Sequence, residues 1–414
     1  MTAPATAGIV IGTIGSARRV TVTPWGAVVP HDGSPVLDWW VAADDRWHVP
    51  SVEPTVRQRR IDGAPVVETA LRVPDGDAVQ RVYAVADGGG LVVVEVENRS
   101  PLPFAVAFSR GDLLLARPPT AVPVQGIELP PRAAVLPVGH RTSVRVALPL
   151  GGGGAGRLPG GLPTPVQVAR GWLAQLESGF RVVLPGLSEA LVAARCDVLL
   201  GAPQAGDDVA FLLTLGERCR SGDDPREWVG SVAAAVERVA SQAGRPVPWD
   251  AFAALRAAQT VLVAAGEVRA AADVDRLLAR LGAVGPPPPT GPAGVRAIAW
   301  IEALVVTPPG APAAATTRAG KALVDPAPDP VDILPGFRPD WLGQGLEVYR
   351  APTGLGTVSF AVRWHASRPA LLWECTPAVA LTCRSLDPSW RAEPVERGEA
   401  LLGVPPTAGG VPER

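Results

Sequence analysis

The spacing of large apolar residues changes period twice along this chain, and that limits its fold more than any other feature. Between residues 8 and 150 the apolar positions alternate or form short β-branched runs, as strands do. Val20-Thr21-Val22-Thr23 and Val92-Val93-Val94-Glu95-Val96-Glu97 are such runs. In Thr142-Ser143-Val144-Arg145-Val146-Ala147-Leu148, Val144, Val146 and Leu148 share one face. Asp32-Gly33, Asp62-Gly63 and Asp75-Gly76 fall between runs and supply hairpin turn chemistry. Residues 1–150 are therefore predicted to form an antiparallel β-sandwich.

From residue 165 to 306 the period is helical. Leu187, Leu191, Ala194 and Val198 line one face, as do Val229, Val232, Val236 and Val239 behind the start signal Asp223-Asp224-Pro225. Phe252, Leu255 and Leu262 follow Asp250, and Val274, Leu277, Leu278 and Leu281 form a further stripe. About seven helices fit, as an array of helical hairpins. After residue 331 the strand pattern returns. Val358-Ser359-Phe360-Ala361-Val362 and Ala370-Leu371-Leu372-Trp373 flank a turn at Ala366-Ser367-Arg368-Pro369. Residues 331–414 thus form a small C-terminal β segment, which either completes the sandwich or caps the helices. Residues 151–164 are Gly-rich and 307–330 Pro/Ala-rich, and both read as linkers. The fold class expected is multidomain α and β.

Composition removes several functions. The chain has 414 residues with formal net charge −2, which argues against a nucleic-acid surface and against an anionic membrane. No run of 18 uninterrupted apolar residues marks a membrane span, and Met1 to Gly15 lacks the pattern of a secretory signal. Cys196, Cys219, Cys375 and Cys383 have neither C-x-x-C nor zinc-finger spacing. They read as reduced thiols in a cytoplasmic protein. Gly151, Gly153 and Gly156 form a nominal G-x-G-x-x-G, but Pro159-Gly160-Gly161 follows where a helix must open. No cofactor and no metal are expected. There is no G-x-S-x-G, H-E-x-x-H or P-loop lysine either.

Two residue classes remain. Carboxylates on the helical segment can serve as a general acid and its partner. Asp250 sits where an N-cap belongs, Glu267 starts a helix, and Asp273 and Asp275 fit a wet helix face. Glu302 follows Trp300 and Ile301 on an apolar helix and is the acid best shielded from water. Asp250 and Glu302 are the catalytic candidates. The second class is tryptophan, with 12 residues against two Tyr. Indole is a broad apolar plate with one donor, suited to the flat face of a sugar ring. Trp364 and His365 beside Arg363 and Arg368 combine a plate with hydrogen-bonding groups, and Trp249 and Trp300 offer plates from the helices. These six are the ligand-binding candidates.

Strands followed by helical hairpins resemble bacterial six-hairpin glycoside hydrolases, which join a β-sandwich to an α/α toroid, as in glucoamylase-like and amylo-α-1,6-glucosidase-like proteins. Val79-Gln80-Arg81-Val82-Tyr83 with Val94-Glu95-Val96-Glu97-Asn98-Arg99-Ser100-Pro101 looks like their sandwich. Gly171-Trp172-Leu173, then Leu184-Pro185 and the stretch through Ala194-Arg195, is similar to the entry into the toroid. Trp249-Asp250-Ala251-Phe252-Ala253-Ala254-Leu255 and Ala299-Trp300-Ile301-Glu302 resemble toroid helices. The likeness spans about 300 residues and is one of fold, which alone does not carry a reaction. Seven helices fall short of six hairpins, and the family's acid and base match no residue here. The resemblance implies a shortened protein that engages carbohydrate, with catalysis reduced. The alternatives are an active glycosidase with a carboxylate pair in the helical domain, and a non-catalytic scaffold. Oligomeric state is not legible.

Overall fold

The computed structural model describes residues 8–120, 125–152, 154–201, 203, 206–242, 247–281, 290–307, 330–353 and 356–406. The chain divides into two compact units, Met1–Ala174 and Gln175–Arg414. Among the described residues, strands, then seven α-helices, then strands again make it a multidomain α and β protein.

In chain order the first unit runs β1 (Ile9–Gly12), β2 (Arg19–Val22), β3 (Val28–Pro30), β4 (Trp39–Ala42), β5 (Trp47–His48), β6 (Arg57–Arg60) and β7 (Val67–Val73). It continues through β8 (Gly76–Val85), β9 (Leu91–Asn98), β10 (Phe104–Phe108), β11 (Leu114–Leu115), β12 (Ala134–Val138), β13 (Ser143–Pro149) and β14 (Gly156–Arg157). Among the described residues these form three sheets, ordered β1-β2-β3, β12-β10-β4-β5 and β14-β11-β13-β9-β8-β7-β6. Register explains the core. In the largest sheet Val67, Val82, Val94 and Val146 stand opposite one another in one row. In the four-stranded sheet Val41, Val106 and Leu136 do the same. Both rows belong to one buried cluster, so the two sheets close on each other as a sandwich. Trp39 is fully buried in it, and its Nε1 donates to the Trp25 carbonyl at 2.9 Å.

The Gly-rich linker is more structured than its composition suggests. Its Gly156–Arg157 pairs in parallel with β11 as β14, because an open sheet edge offers backbone partners that glycine does not obstruct. Gly153 of the G-x-G-x-x-G lies outside the described residues; among those described, no helix opens beside it, and α1 (Pro165–Leu176) starts later. Thr164 and Gln167 cap it reciprocally: the Thr164 N–H donates to Gln167 Oε1 at 2.8 Å, and the Gln167 N–H to Thr164 Oγ1 at 3.3 Å. The boundary between the units falls inside α1.

The second unit holds β15 (Arg181–Val183), α2 (Ser188–Leu200), α3 (Asp208–Arg220), α4 (Val229–Gln242), α5 (Trp249–Ala264), α6 (Val268–Leu281) and α7 (Ala293–Val305). Strands β16 (Val331–Asp332), β17 (Leu346–Pro352), β18 (Thr357–His365), β19 (Arg368–Cys383) and β20 (Asp387–Leu401) follow. They form a sheet ordered β15-β17-β18-β19-β16, with β20 along β19. The C-terminal strands share one core with the helices. Val348, Val358, Phe360, Val362 and Leu371 are buried in one cluster with Leu191, Leu255, Ile298 and Ile301. The helices cannot bury their apolar stripes on one another alone, and the alternating face of the sheet takes the remainder. Strand β15, from between α1 and α2, pairs with β17 and ties the two together. Helix α2 packs on α7 and α3 on α5, with α4 and α6 also against α5. This is a layer over a sheet rather than a closed ring. Of the 307–330 linker, residues 308–329 lie outside the described residues, as does the Pro286 to Pro289 run.

Candidate functional site

A cavity of about 560 Å³ opens in the second unit between α5 and α7, with α3 behind it. Helical spacing places its walls. Leu213, Gly216, Glu217 and Arg220 share one face of α3; Trp249, Ala253, Arg256, Ala257 and Thr260 one face of α5; Val295, Ala299, Glu302 and Ala303 one face of α7. Gly216 allows α3 and α5 to meet, since a Cβ there would stand 2.7 Å from the Ala257 Cβ. Pro352 and Thr353, at the end of β17, close one side.

Three of the charged side chains that line this pocket meet at one point. Arg220 Nη1 donates to Glu302 Oε1 at 2.7 Å, and Arg220 Nη2 donates to Glu217 Oε2. One guanidinium therefore holds two carboxylates side by side. Their side chains are 2% exposed for Glu217 and 15% for Glu302. Arg195, also buried, lies behind them. Its Nη1 donates to the carbonyls of Leu176 at 2.9 Å and Phe180 at 2.7 Å, and its Nε to Ser221 Oγ at 3.2 Å. Burial pushes the Glu302 carboxyl up to about 7; the Arg220 guanidinium pulls it down, and the Glu217 charge adds to the rise. A carboxyl in that range exchanges its proton near neutral pH and can serve as donor or acceptor.

Three of the predicted residues meet here: Glu302, Trp249 and Trp300 line the same cavity. Trp300 is 46% exposed, and Trp249 is half-buried beside Phe252, ring centroids 5.6 Å apart. Asp250 is not with them. It is exposed in the first turn of α5, behind the N-cap Pro248 rather than at the N-cap itself, and its Oδ1 accepts the Ala251 N–H at 2.8 Å. The second acid in the pocket is Glu217. In the sequence it is followed by Arg218 and Arg220, so it reads as part of a wet, charged face. The signal that places it inside is Gly216, which marks where α3 and α5 touch. Glu267, Asp273 and Asp275 are exposed.

The other four candidates belong to the β18–β19 hairpin and do not line this cavity. Arg363 pairs with Glu347. Trp364 Nε1 donates to the Gln344 carbonyl at 2.7 Å, and Arg368 donates to the carbonyls of Leu402 at 2.9 Å and Leu401 at 3.2 Å. Trp364 also packs on the core, and His365 is exposed. The donors that resemble a ligand site in sequence hold the hairpin to its neighbours. Among the described residues no group of three or more His, Cys, Asp or Glu side chains could hold a metal. Burial raises the Cys219 thiol to about 11 and the Cys383 thiol to about 12, out of the range of a ready nucleophile. No helix among the described residues is long and apolar enough to cross a membrane. No family model matches the chain, and no curated protein matches it.

Proposed function

We propose that this is a glycoside-hydrolase-like protein that engages carbohydrate in the cavity between α5 and α7, with its catalytic capacity reduced. The observation that carries this is the pairing, in one mostly apolar pocket, of two shielded carboxylates on Arg220 with the indoles of Trp249 and Trp300. A saccharide presents apolar C–H faces to indole and hydroxyls to carboxylates and guanidinium, which form charge-assisted hydrogen bonds. Arg220 ties up an oxygen of each acid. That favours holding a ligand over attacking it, because a carboxylate neutralised by a guanidinium is a poor nucleophile. Four free cysteines support placing this activity in a reducing cytoplasm.

A second reading is an active glycosidase, favoured by the Glu302 carboxyl at about 7. It would protonate the leaving oxygen while Glu217 supplies the second carboxylate. Calorimetric titration with α-gluco-oligosaccharides, trehalose and a glycosyl-glycerate tests the common premise. Saturable heat is expected, with Trp300→Ala weakening binding about tenfold or more. No heat from any of these ligands would remove the carbohydrate reading. Hydrolysis of an aryl glycoside, abolished by Glu302→Gln, would select the active form.

A further inference from the structure

On the outer face of the largest sheet in the first unit, charged side chains stand in one cross-strand row. Arg59 is opposite Glu68, Glu68 opposite Arg81, Arg81 opposite Glu95, and Glu95 opposite Arg145. The signs alternate across β6, β7, β8, β9 and β13, the arrangement in which cross-strand neighbours attract. Arg81 is the hub: Nε donates to Glu68 at 2.9 Å, Nη1 to Glu95 at 3.1 Å and Nη2 to Glu97 at 2.7 Å. Arg59 also donates to Glu68 at 2.9 Å, and Arg99 to Glu97 at 3.0 Å. Arg145 reaches Glu95 through Nε. Glu68 and Glu95 are only 8% and 6% exposed, so charges on the outside of a sandwich are here largely withdrawn from water.

A cavity of about 630 Å³ opens over this row, and five arginines line it against three glutamates. The three carboxylates are all engaged, and a surplus of two positive charges remains in a chain whose net charge is −2. The surplus can be located. Arg141, which lines the cavity, makes no ion pair with any described residue. It stands on the β12–β13 turn at φ +51°, next to Thr142, whose Oγ1 donates to the Gly139 carbonyl at 2.8 Å. Arg145 spends only Nε on Glu95, so both terminal nitrogens of its fork remain. Ser143 adds a neutral donor, and the capped first turn of α1 forms part of the wall, its dipole adding a field of the same sign.

We propose that this cup is an oxyanion site. It takes a tetrahedral dianion, inorganic phosphate or the terminal phosphate of a small ester, between the guanidinium groups of Arg141 and Arg145. The guanidinium fork matches oxygen pairs on such a group. The glutamates below hold Arg145 and Arg81 in place, so that little side-chain entropy is lost when the anion arrives. This site belongs to the first unit and is independent of the carbohydrate reading.

Titration of the full-length protein with inorganic phosphate at low ionic strength tests it, with methyl phosphate as the ester probe because it has no sugar to enter the other cavity. One saturable site is expected, weakening as salt is added. Arg141→Asn, which removes the cation and keeps a residue tolerant of positive φ, should weaken binding about tenfold with an unchanged circular dichroism spectrum. Tighter binding of methyl phosphate than of phosphate would identify an ester as the ligand; equal affinity would identify the free ion. Failure of both to bind saturably, or an affinity unchanged by Arg141→Asn, would overturn the proposal and leave the row as a brace for the sheet.

Discussion

Single carboxylates in this chain respond to pH in opposite directions, and their surroundings decide which. Glu68 is buried, which raises its carboxyl, but the guanidiniums of Arg59 and Arg81 outweigh that and hold it below the usual range; Glu97, between Arg99 and Arg81, behaves alike. Groups lowered on folding contribute stability at neutral pH and lose it as the pH falls through the carboxylate range. Glu302 is raised instead, from 4.5 to about 7, mainly by burial. Its contribution is complete below about pH 4.5 and is lost as the pH rises through 7. The second unit should therefore lose on the order of 2–3 kcal/mol between about pH 5 and pH 8 from this group. Glu302→Gln should flatten that slope, because the amide cannot ionise. Urea unfolding at the two pH values, followed by hydrogen exchange in α7 peptides, measures it. An unaltered slope in the variant would show that Arg220 keeps the carboxylate ionised throughout.

At the scale of the elements, the contact of α3 with α5 shows two glycine effects opposing each other. Replacing a mid-helix glycine with alanine ordinarily stabilises by up to about 1 kcal/mol. At Gly216 the new methyl would stand 2.7 Å from the Ala257 Cβ and 3.0 Å from its Cα, and overpacking of that kind costs about 1–3 kcal/mol. The second effect is the larger. Gly216→Ala should lower the denaturant midpoint and narrow the cavity; a raised midpoint would mean the helices part freely. This contact also marks what the sequence can show. The stripe Leu187, Leu191, Ala194 and Val198 is buried as its spacing implies, and so is the alternating Val358, Phe360 and Val362, because periodicity is a local property. Glu302 was legible for the same reason, lying among Trp300, Ile301 and other apolar residues. Glu217 was not, because its burial depends on which helix crosses at Gly216, a long-range fact. The Arg363 to Arg368 cluster lies away from that cavity for the converse reason. Its residue types suit a ligand, yet their hydrogen bonds go to Gln344, Leu401 and Leu402, partners far away in the chain. At Asp75-Gly76 the turn forms as expected, with the roles exchanged. Asp75 takes the positive φ of 54°, and Gly76 is needed because a Cβ would lie 2.4 Å from the Arg99 carbonyl.

For the molecule as a whole, the decisive structural fact is that the chain builds two cores from three sequence segments. The first core is drawn from strands and, at Leu37, Leu113 and Leu150, from the turns beside them. The second draws on helices α2 to α7 and on strands that follow them by tens of residues. Neither partner of that second core is self-sufficient: Ile298, Ile301 and Val305 on α7 are buried in the same cluster as Leu346, Val348 and Leu371 of the sheet. The candidate carbohydrate cavity inherits this dependence, since α7 carries Glu302 and Trp300 while β17 supplies Pro352 and Thr353. Stability in the strands is thus a condition for geometry in the helices. Leu371, fully buried on β19, tests the coupling from a position outside the cavity. Leu371→Ala should cost about 2–5 kcal/mol by deleting buried methyl groups and leaving a void. The same loss should appear in the hydrogen-exchange free energies of α7 peptides and of β18 peptides, because the two open as one cooperative unit. Acceleration confined to the strands would show that the helices hold α7 by themselves, and the layer would then count as a domain apart from the sheet it covers.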